Sequence, residues 1–269
     1  MIHTNYHTHT TRCGHATGTD EAYVQGAIEG GFTELGFSDH VFLPNYNRSV
    51  TMRGDYSELD DYCQSVAQLK QRYASQIKIY TAFECEYFPR FHDYYANLLD
   101  SKTMDYLILA AHYLRFDDEI NRMQDYAGAI TTPEGVERYG EIALMGMDSG
   151  LFVYFAHPDL FLSSYPQWDD TCEKVTRSIV ARAKELSMPL EFNQGGIRFK
   201  GQFQIGNEFR YRYPVKQFWD IVREMQAPVI LGVDAHSPSD FTAPARYTAE
   251  QLIDAWGLRS LVVTQLNID

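Results

Sequence analysis

The sequence predicts an α/β fold with a parallel sheet, curled into a (β/α) barrel. Two observations predict it. Short apolar runs alternate with longer amphipathic stretches about seven times along the 269 residues. And no G-x-G-x-x-G follows the first apolar run, which makes an open, doubly wound sheet the second choice. Seven or eight strand–helix units in a chain of this length suit one closed domain, 1–269.

The expected strands are Ile2–Tyr6, Leu35–Ser38, Ile77–Phe83, Tyr106–Ala111, Phe152–Ala156, Leu190–Asn193 and Val229–Val233, with Leu261–Thr264 as a further candidate. Each is short, apolar and rich in β-branched or aromatic residues. Between them, apolar residues recur at helical spacing over Asp20–Gly30, Tyr56–Tyr73, His92–Leu99, Pro133–Met147, Asp170–Leu186 and Val215–Met225. Pro133 and Pro214 sit where a first helical turn accepts proline.

Composition narrows the function. Lys and Arg number 23 against 36 Asp and Glu, a formal net charge of -13, the reverse of the basic stripe that binds nucleic acid. Apolar residues at 45% and charged residues at 22% suit a soluble globular protein. No run of 18 apolar residues offers a membrane span, and the start MIHTNYHTHT lacks a signal-peptide pattern. Cys13, Cys63, Cys85 and Cys172 are scattered without a C-x-x-C pair, so free thiols in a reducing compartment, the cytoplasm, are expected.

The histidines fall in a pattern. His7 and His9 follow the first strand, with His15 in the loop beyond. His40 follows the second, Glu84 ends the third and His112 the fourth; His157 ends the fifth, and Asp234 and His236 end the seventh. In a parallel barrel these strand ends share one face, where βα loops build the active site. His7 and His9, two apart, point to one side with Cα atoms roughly 7 Å apart; Asp234 and His236 repeat that spacing. A single histidine at a strand end is usually just hydrogen-bonded, but seven of nine on one face, with two carboxylates, suit divalent cations. Nine candidate ligands exceed the roughly four of one tetrahedral zinc, so two or three ions with a bridging carboxylate are expected.

These residues resemble the PHP (polymerase and histidinol phosphatase) superfamily. The likeness runs through His7-Thr8-His9, Cys13-Gly14-His15, Asp39-His40, Glu84, His112, His157-Pro158-Asp159 and Asp234-Ala235-His236. Length, spacing and the run Gly36-Phe37-Ser38-Asp39-His40 look most like the stand-alone histidinol-phosphatase branch. That resemblance implies a distorted (β/α)7 TIM-like barrel with a trinuclear site of zinc, iron or manganese at the strand C-termini. It implies one ion on His7, His9, Glu84 and Asp234, a second on Glu84, His112 and His157, and a third on His15, His40 and His236. Glu86 lies on the same side as Glu84, and spacing does not choose between them; the family pattern favours Glu84.

The implied reaction is hydrolysis of the phosphate monoester L-histidinol phosphate by a hydroxide held between metals. The alternative is another small phosphate ester: a nucleotide, sugar phosphate or cyclic phosphate. Arg198, after a Gly-Gly, is expected to clamp the phosphate, with Arg115 a weaker choice and Glu191 a further substrate-binding candidate. Asp159 is a candidate proton donor, or else a support for a ligand imidazole. Some family members carry an arginine soon after the His-x-Asp segment; here Phe161-Leu162-Ser163-Ser164 stands there.

Overall fold

The computed structural model describes residues 2–45, 52–115, 125–199 and 201–268. Its centre is a parallel sheet of four strands in sequence order: β1 (Thr4–Asn5), β2 (Glu34–His40), β3 (Lys78–Glu86) and β4 (Tyr106–Ala110). The register sets Thr4 opposite Glu34, His40 opposite Glu84, and Glu86 opposite Ala110. Two further strands, β5 (Leu190–Asn193) and β8 (Val229–Gly232), pair in parallel, Leu190 with Val229. Single parallel bridges extend the pairing: Leu109 with Phe155, Phe155 with Leu190, Val229 with Val262 and Thr8 with Ala235. Together these strands form a curled parallel α/β half-barrel.

The helices fall where apolar spacing puts them. They are α1 (Asp20–Glu29), α2 (Leu59–Arg72), α3 (His92–Asp100), α4 (Pro133–Asp148), α5 (Asp170–Leu186) and α7 (Lys216–Met225), with a short α6 (Gly195–Arg198). Three of the starts are capped: the Thr19, Thr132 and Asp169 side chains accept from the N–H of Ala22, Gly135 and Cys172. Pro133 opens α4, whereas Pro214 precedes the Val215 cap of α7 and lies outside its first turn.

Four elements depart from expectation, the first being the candidate strand Leu261–Thr264, which is a 3-10 turn at Arg259–Leu261 followed by the single bridge at Val262. The stretch Phe152–Ala156 keeps only the bridge at Phe155. The Val153 and Ala156 N–H groups donate to Leu107 O and Leu109 O, three residues on one side against two on the other, which is a bulge. Helix α8 (Pro244–Ala255) lies where no helix is expected, because small Ala245 and Ala249 carry its buried face beside Ile253. And an antiparallel hairpin, β6 (Phe203–Ile205) and β7 (Glu208–Arg210), follows α6.

Strand alternation makes two cores and aims the site. On β3, Ile79, Phe83 and Cys85 pack outward under the helices, while Tyr80 and Ala82 face inward. On β4, Leu107 and Leu109 face out, and Tyr106 and Ile108 face in. The inner cluster of Tyr6, Tyr80, Tyr106 and Tyr154 is closed by the tail: Leu266 and Ile268 pack on it, and Leu266 N–H donates to Tyr6 Oη. Glu34 is fixed beneath it by Tyr6 Oη at 2.7 Å, Tyr80 Oη at 3.2 Å and the Gln265 amide. The same inward parity continues up β3 to Glu84 and Glu86 and past β4 to His112, so this face ends in the polar residues singled out above.

Candidate metal centre

The structure brings His7, His9, His15, His40, Glu84, His112, His157, Asp234 and His236 together at the C-terminal ends of the strands. Glu84 is the hub. Its Oε1 lies 2.9 Å from His157 Nε2, 3.4 Å from His7 Nε2 and 3.5 Å from His112 Nε2; its Oε2 lies 2.9 Å from His40 Nδ1 and 3.5 Å from His9 Nε2. Asp234 Oδ1 is 3.2 Å from His9 Nε2, 3.4 Å from His236 Nδ1 and 3.6 Å from His7 Nε2. Glu84 is 1% exposed and Asp234 7%, so both carboxylates face each other's imidazoles instead of water.

Ligand atoms of His7, His157 and Asp234 lie within 4.8 Å of one another, as do those of His7, His9 and Glu84, of His40, Glu84 and His112, and of His9, His40 and His236. These groupings cut across the three-way division that the resemblance implies, with His9 and His40 shared between groups. His15 is exposed and joins through His236, Nε2 to Nε2, at 3.0 Å.

The donor set fits divalent cations on three counts. His7 and His9 face each other Nε2 to Nε2 at 3.2 Å, an arrangement of two lone pairs that only a proton or a cation between them relieves. Buried His157 Nδ1 has no hydrogen-bond partner, and Glu84 Oε2 and His40 Nδ1, though 2.9 Å apart, form no aligned hydrogen bond. And several imidazoles are held from behind by oxygen, leaving Nε2 to the centre: His7 Nδ1 by Glu191 at 2.8 Å, His112 Nδ1 by Glu86 at 2.8 Å, His236 Nδ1 by Asp234 O at 3.0 Å and His15 Nδ1 by Cys13 O at 3.3 Å.

Backbone and charge point the same way. His157 and Asp234 are non-glycine residues with φ of 31° and 53°, a conformation that costs energy and recurs at functional sites. Burial pushes the Glu84 carboxyl up, but the imidazoles of His112, His7 and His40 outweigh it and hold it well below the usual range. Burial acts likewise on Asp234, and His7, His236 and His9 outweigh it.

Four residues expected on the substrate side lie as follows. Glu191 is turned to His7 and does not line the cavity. It is fully buried, its Oε1 on His7 and its Oε2 accepting from Asn193 Nδ2 at 2.7 Å and from the His157 N–H at 3.1 Å. Arg198 does line the cavity, but its guanidinium is engaged: Nη1 donates to Val233 O at 2.9 Å, Nη2 to Asp234 O at 2.7 Å, and Nε lies 3.1 Å from Asp240 Oδ1. It holds the loop that carries Asp234. Asp159 turns away from the cluster, its Oδ2 accepting from Val215 N–H at 2.8 Å and Trp219 Nε1 at 3.0 Å, so it fixes the start of α7. Burial raises this carboxyl to about 6. Arg115 is exposed and is not among the residues lining the cavity. Glu86 separates from Glu84 by its partners: Arg53 Nη2 at 2.8 Å and His112, a supporting place behind the cluster.

Above the cluster opens a cavity of about 760 Å³. Met52, Tyr126, Phe199 and Tyr213 give it an aromatic and apolar wall, and Arg212 lines it too. Sequence reasoning did not single out Arg212, Glu86's support or Tyr126.

The residues of this fold and site place the chain among known proteins. A family model for the PHP domain matches residues 5–195, and the chain belongs to that family. Its likeness within the family is to the histidinol-phosphatase branch. It is 26% identical over 246 residues to a "Probable histidinol-phosphatase" of Deinococcus radiodurans, covering 87% of this chain and 86% of that protein. It is 23% identical over 292 residues to a protein of the same name from Schizosaccharomyces pombe, covering 98% and 90%. Among solved structures, the histidinol phosphate phosphatase of Lactococcus lactis, complexed with zinc, L-histidinol and phosphate, matches with a TM-score of 0.70 at 18% identity, covering 99% of both chains. No helix among the described residues is long and apolar enough to cross a membrane.

Proposed function

We propose that this chain is a metal-dependent phosphomonoesterase that hydrolyses L-histidinol phosphate to L-histidinol and inorganic phosphate. The observation that carries it is the Glu84-centred ring of imidazoles on the floor of an open cavity, their outer nitrogens held by oxygen. The names of the curated relatives, and the ligands of the Lactococcus lactis enzyme, support phosphate ester hydrolysis over other metal chemistry. We further infer that the single bridges carry the half-barrel round into a distorted (β/α)7 barrel, with Thr8–Ala235 as the closing contact.

His7, His9, Glu84 and Asp234 would hold one ion, Glu84, His112 and His157 a second, and His15, His40 and His236 a third. Such divalent ions, zinc, iron or manganese, supply water acidified to near neutrality and positive charge opposite the phosphate oxygens. The chain's own residues do the rest. Glu191 and Glu86 keep Nδ1 of His7 and His112 protonated, so that Nε2 offers a lone pair. Arg198 braces the backbone of Val233 and Asp234. The wall of Tyr126, Phe199 and Tyr213 would offer flat faces to an imidazole.

One observation favours a second reading, a different small phosphate ester. Each carboxylate among the described cavity-lining residues is engaged, Glu84 and Asp234 in the cluster and Asp240 with Arg198, which leaves none of them for a substrate ammonium.

The test is a kcat/KM panel of histidinol phosphate, nucleoside monophosphates and sugar phosphates with metal-loaded protein, alongside metal analysis. A preference for histidinol phosphate and more than one ion per chain are expected. Preference for another ester overturns the substrate, and one ion or none overturns the multinuclear centre. His7→Ala and Asp234→Asn should each abolish turnover with the fold intact; turnover retained in both sinks the ligand assignment.

A further inference from the structure

Among the described residues lining the cavity, two are arginines, and they differ in kind. Arg198 is bound on three sides. Arg212 is not. Its guanidinium makes no hydrogen bond and no ion pair among the described residues, and its buried Nε has no hydrogen-bond partner. Behind it lies the Phe203 ring, whose centroid is 5.3 Å from the guanidinium carbon. A ring at that place steadies the cation without occupying its N–H donors.

The backbone that delivers Arg212 is built for position. Arg210, at the end of β7, donates from Nη2 to Leu162 O at 2.7 Å and Tyr165 O at 3.2 Å, and from Nη1 to Tyr211 O at 3.0 Å and Arg212 O at 3.2 Å. The hairpin is thereby stapled to the segment that follows His157 and Asp159. Next along the chain, Tyr213 packs on the cluster, its ring 6.1 Å from that of His157. Arg212 is therefore pinned on both sides at the cavity wall. A pinned, unpaired guanidinium beside a metal-ligand ring is an anion site, because its planar fork matches two phosphate oxygens.

We propose that Arg212, and not Arg198, is the side chain that grips the phosphoryl group of the substrate. This rests on the phosphoesterase reading above and deepens it: hairpin β6–β7 supplies the specificity for a phosphate monoester, while Arg198 serves the metal loop.

The test is calorimetric titration of inorganic phosphate into the metal-loaded protein, with steady-state kinetics on histidinol phosphate and p-nitrophenyl phosphate. Arg212→Ala should weaken phosphate binding about 10- to 100-fold, the scale of a lost charged hydrogen bond, and raise KM for both esters together with metal content unchanged. Arg212→Lys, which keeps the charge but not the fork, should fall between wild type and Arg212→Ala. Arg198→Ala should instead lower metal content. Phosphate affinity of Arg212→Ala equal to wild type overturns the proposal. Should Arg212→Ala fail to fold or to load metal, Arg212→Gln decides: it must lose phosphate affinity, and equal affinity overturns the proposal. If wild type prefers an ester other than histidinol phosphate while Arg212→Ala still loses phosphate affinity, the substrate reading fails and this one stands.

Discussion

Replacing Glu191 by Gln separates two roles that the sequence alone leaves confounded. The carboxylate sits with Oε1 2.8 Å from His7 Nδ1, and with Oε2 accepting from Asn193 and from the His157 N–H. The glutamine oxygen can keep the two donors on the Oε2 side. Its NH2 must then face His7 Nδ1, donor against donor. His7 escapes by moving its proton to Nε2, which removes the lone pair aimed at Glu84 and Asp234. Loss of such an orienting partner lowers metal affinity roughly 10- to 100-fold, about 1.4 to 2.7 kcal/mol. A chelator-competition titration should therefore show weaker metal binding. With metal in excess, KM for histidinol phosphate should stay near wild type while kcat recovers. Wild-type metal affinity combined with a KM raised several-fold would refute this reasoning and return Glu191 to the substrate.

Gly232→Ala should reproduce that phenotype, because a Cβ there would drive into the Glu191 carboxylate; overpacking of this kind costs about 1–3 kcal/mol, readable as a lower Tm together with weaker metal binding. Asp159→Ala should cost about 2 to 4 kcal/mol in chemical denaturation, since it orphans the buried Trp219 Nε1–H and Val215 N–H. Its residual activity should fall equally on histidinol phosphate and p-nitrophenyl phosphate; a loss confined to the poorer leaving group would make Asp159 the proton donor after all. Truncating the chain after Val262 should lower stability by at least about 2 kcal/mol in urea unfolding, because Leu266 and Ile268 leave the inner tyrosine cluster; an unchanged midpoint would show the tail to be passive.

Most of the candidate ligands are legible because they stand at or just beyond the C-terminal end of an apolar strand, a place that strand periodicity and the parallel α/β pattern locate without coordinates; His15, in a loop, is the exception. Roles were less legible than residues. Glu84 and Glu86 share a strand face, and only their neighbours, five imidazole nitrogens against Arg53 and His112, tell them apart. Glu191 looks like a free carboxylate until β5 sets it behind His7, 184 positions away in sequence. Arg212 was invisible for a related reason: its place depends on Arg210 reaching back to Leu162 and Tyr165, a contact that no local pattern encodes. Phe152–Ala156 reads as a full strand because a bulge leaves the apolar composition intact while spoiling the pairing. Helix α8 hides because alanines do the packing that Leu or Ile usually advertises.

The closing of the tyrosine cluster by the tail bears on how the chain reaches its fold. Thr4 Oγ1 donates to Thr264 O at 2.6 Å and Leu266 N–H to Tyr6 Oη at 3.2 Å, contacts 260 residues apart, while Thr8 pairs with Ala235. Strands β1 to β4 can pair with one another as they emerge from the ribosome. The floor of the sheet, however, stays open until residues 262–268 have emerged and returned to the first strand. Contacts of such long separation form late and slowly. During synthesis the aromatic interior beneath the candidate metal ligands is therefore exposed longest, and it is the surface a chaperone would have most time to engage.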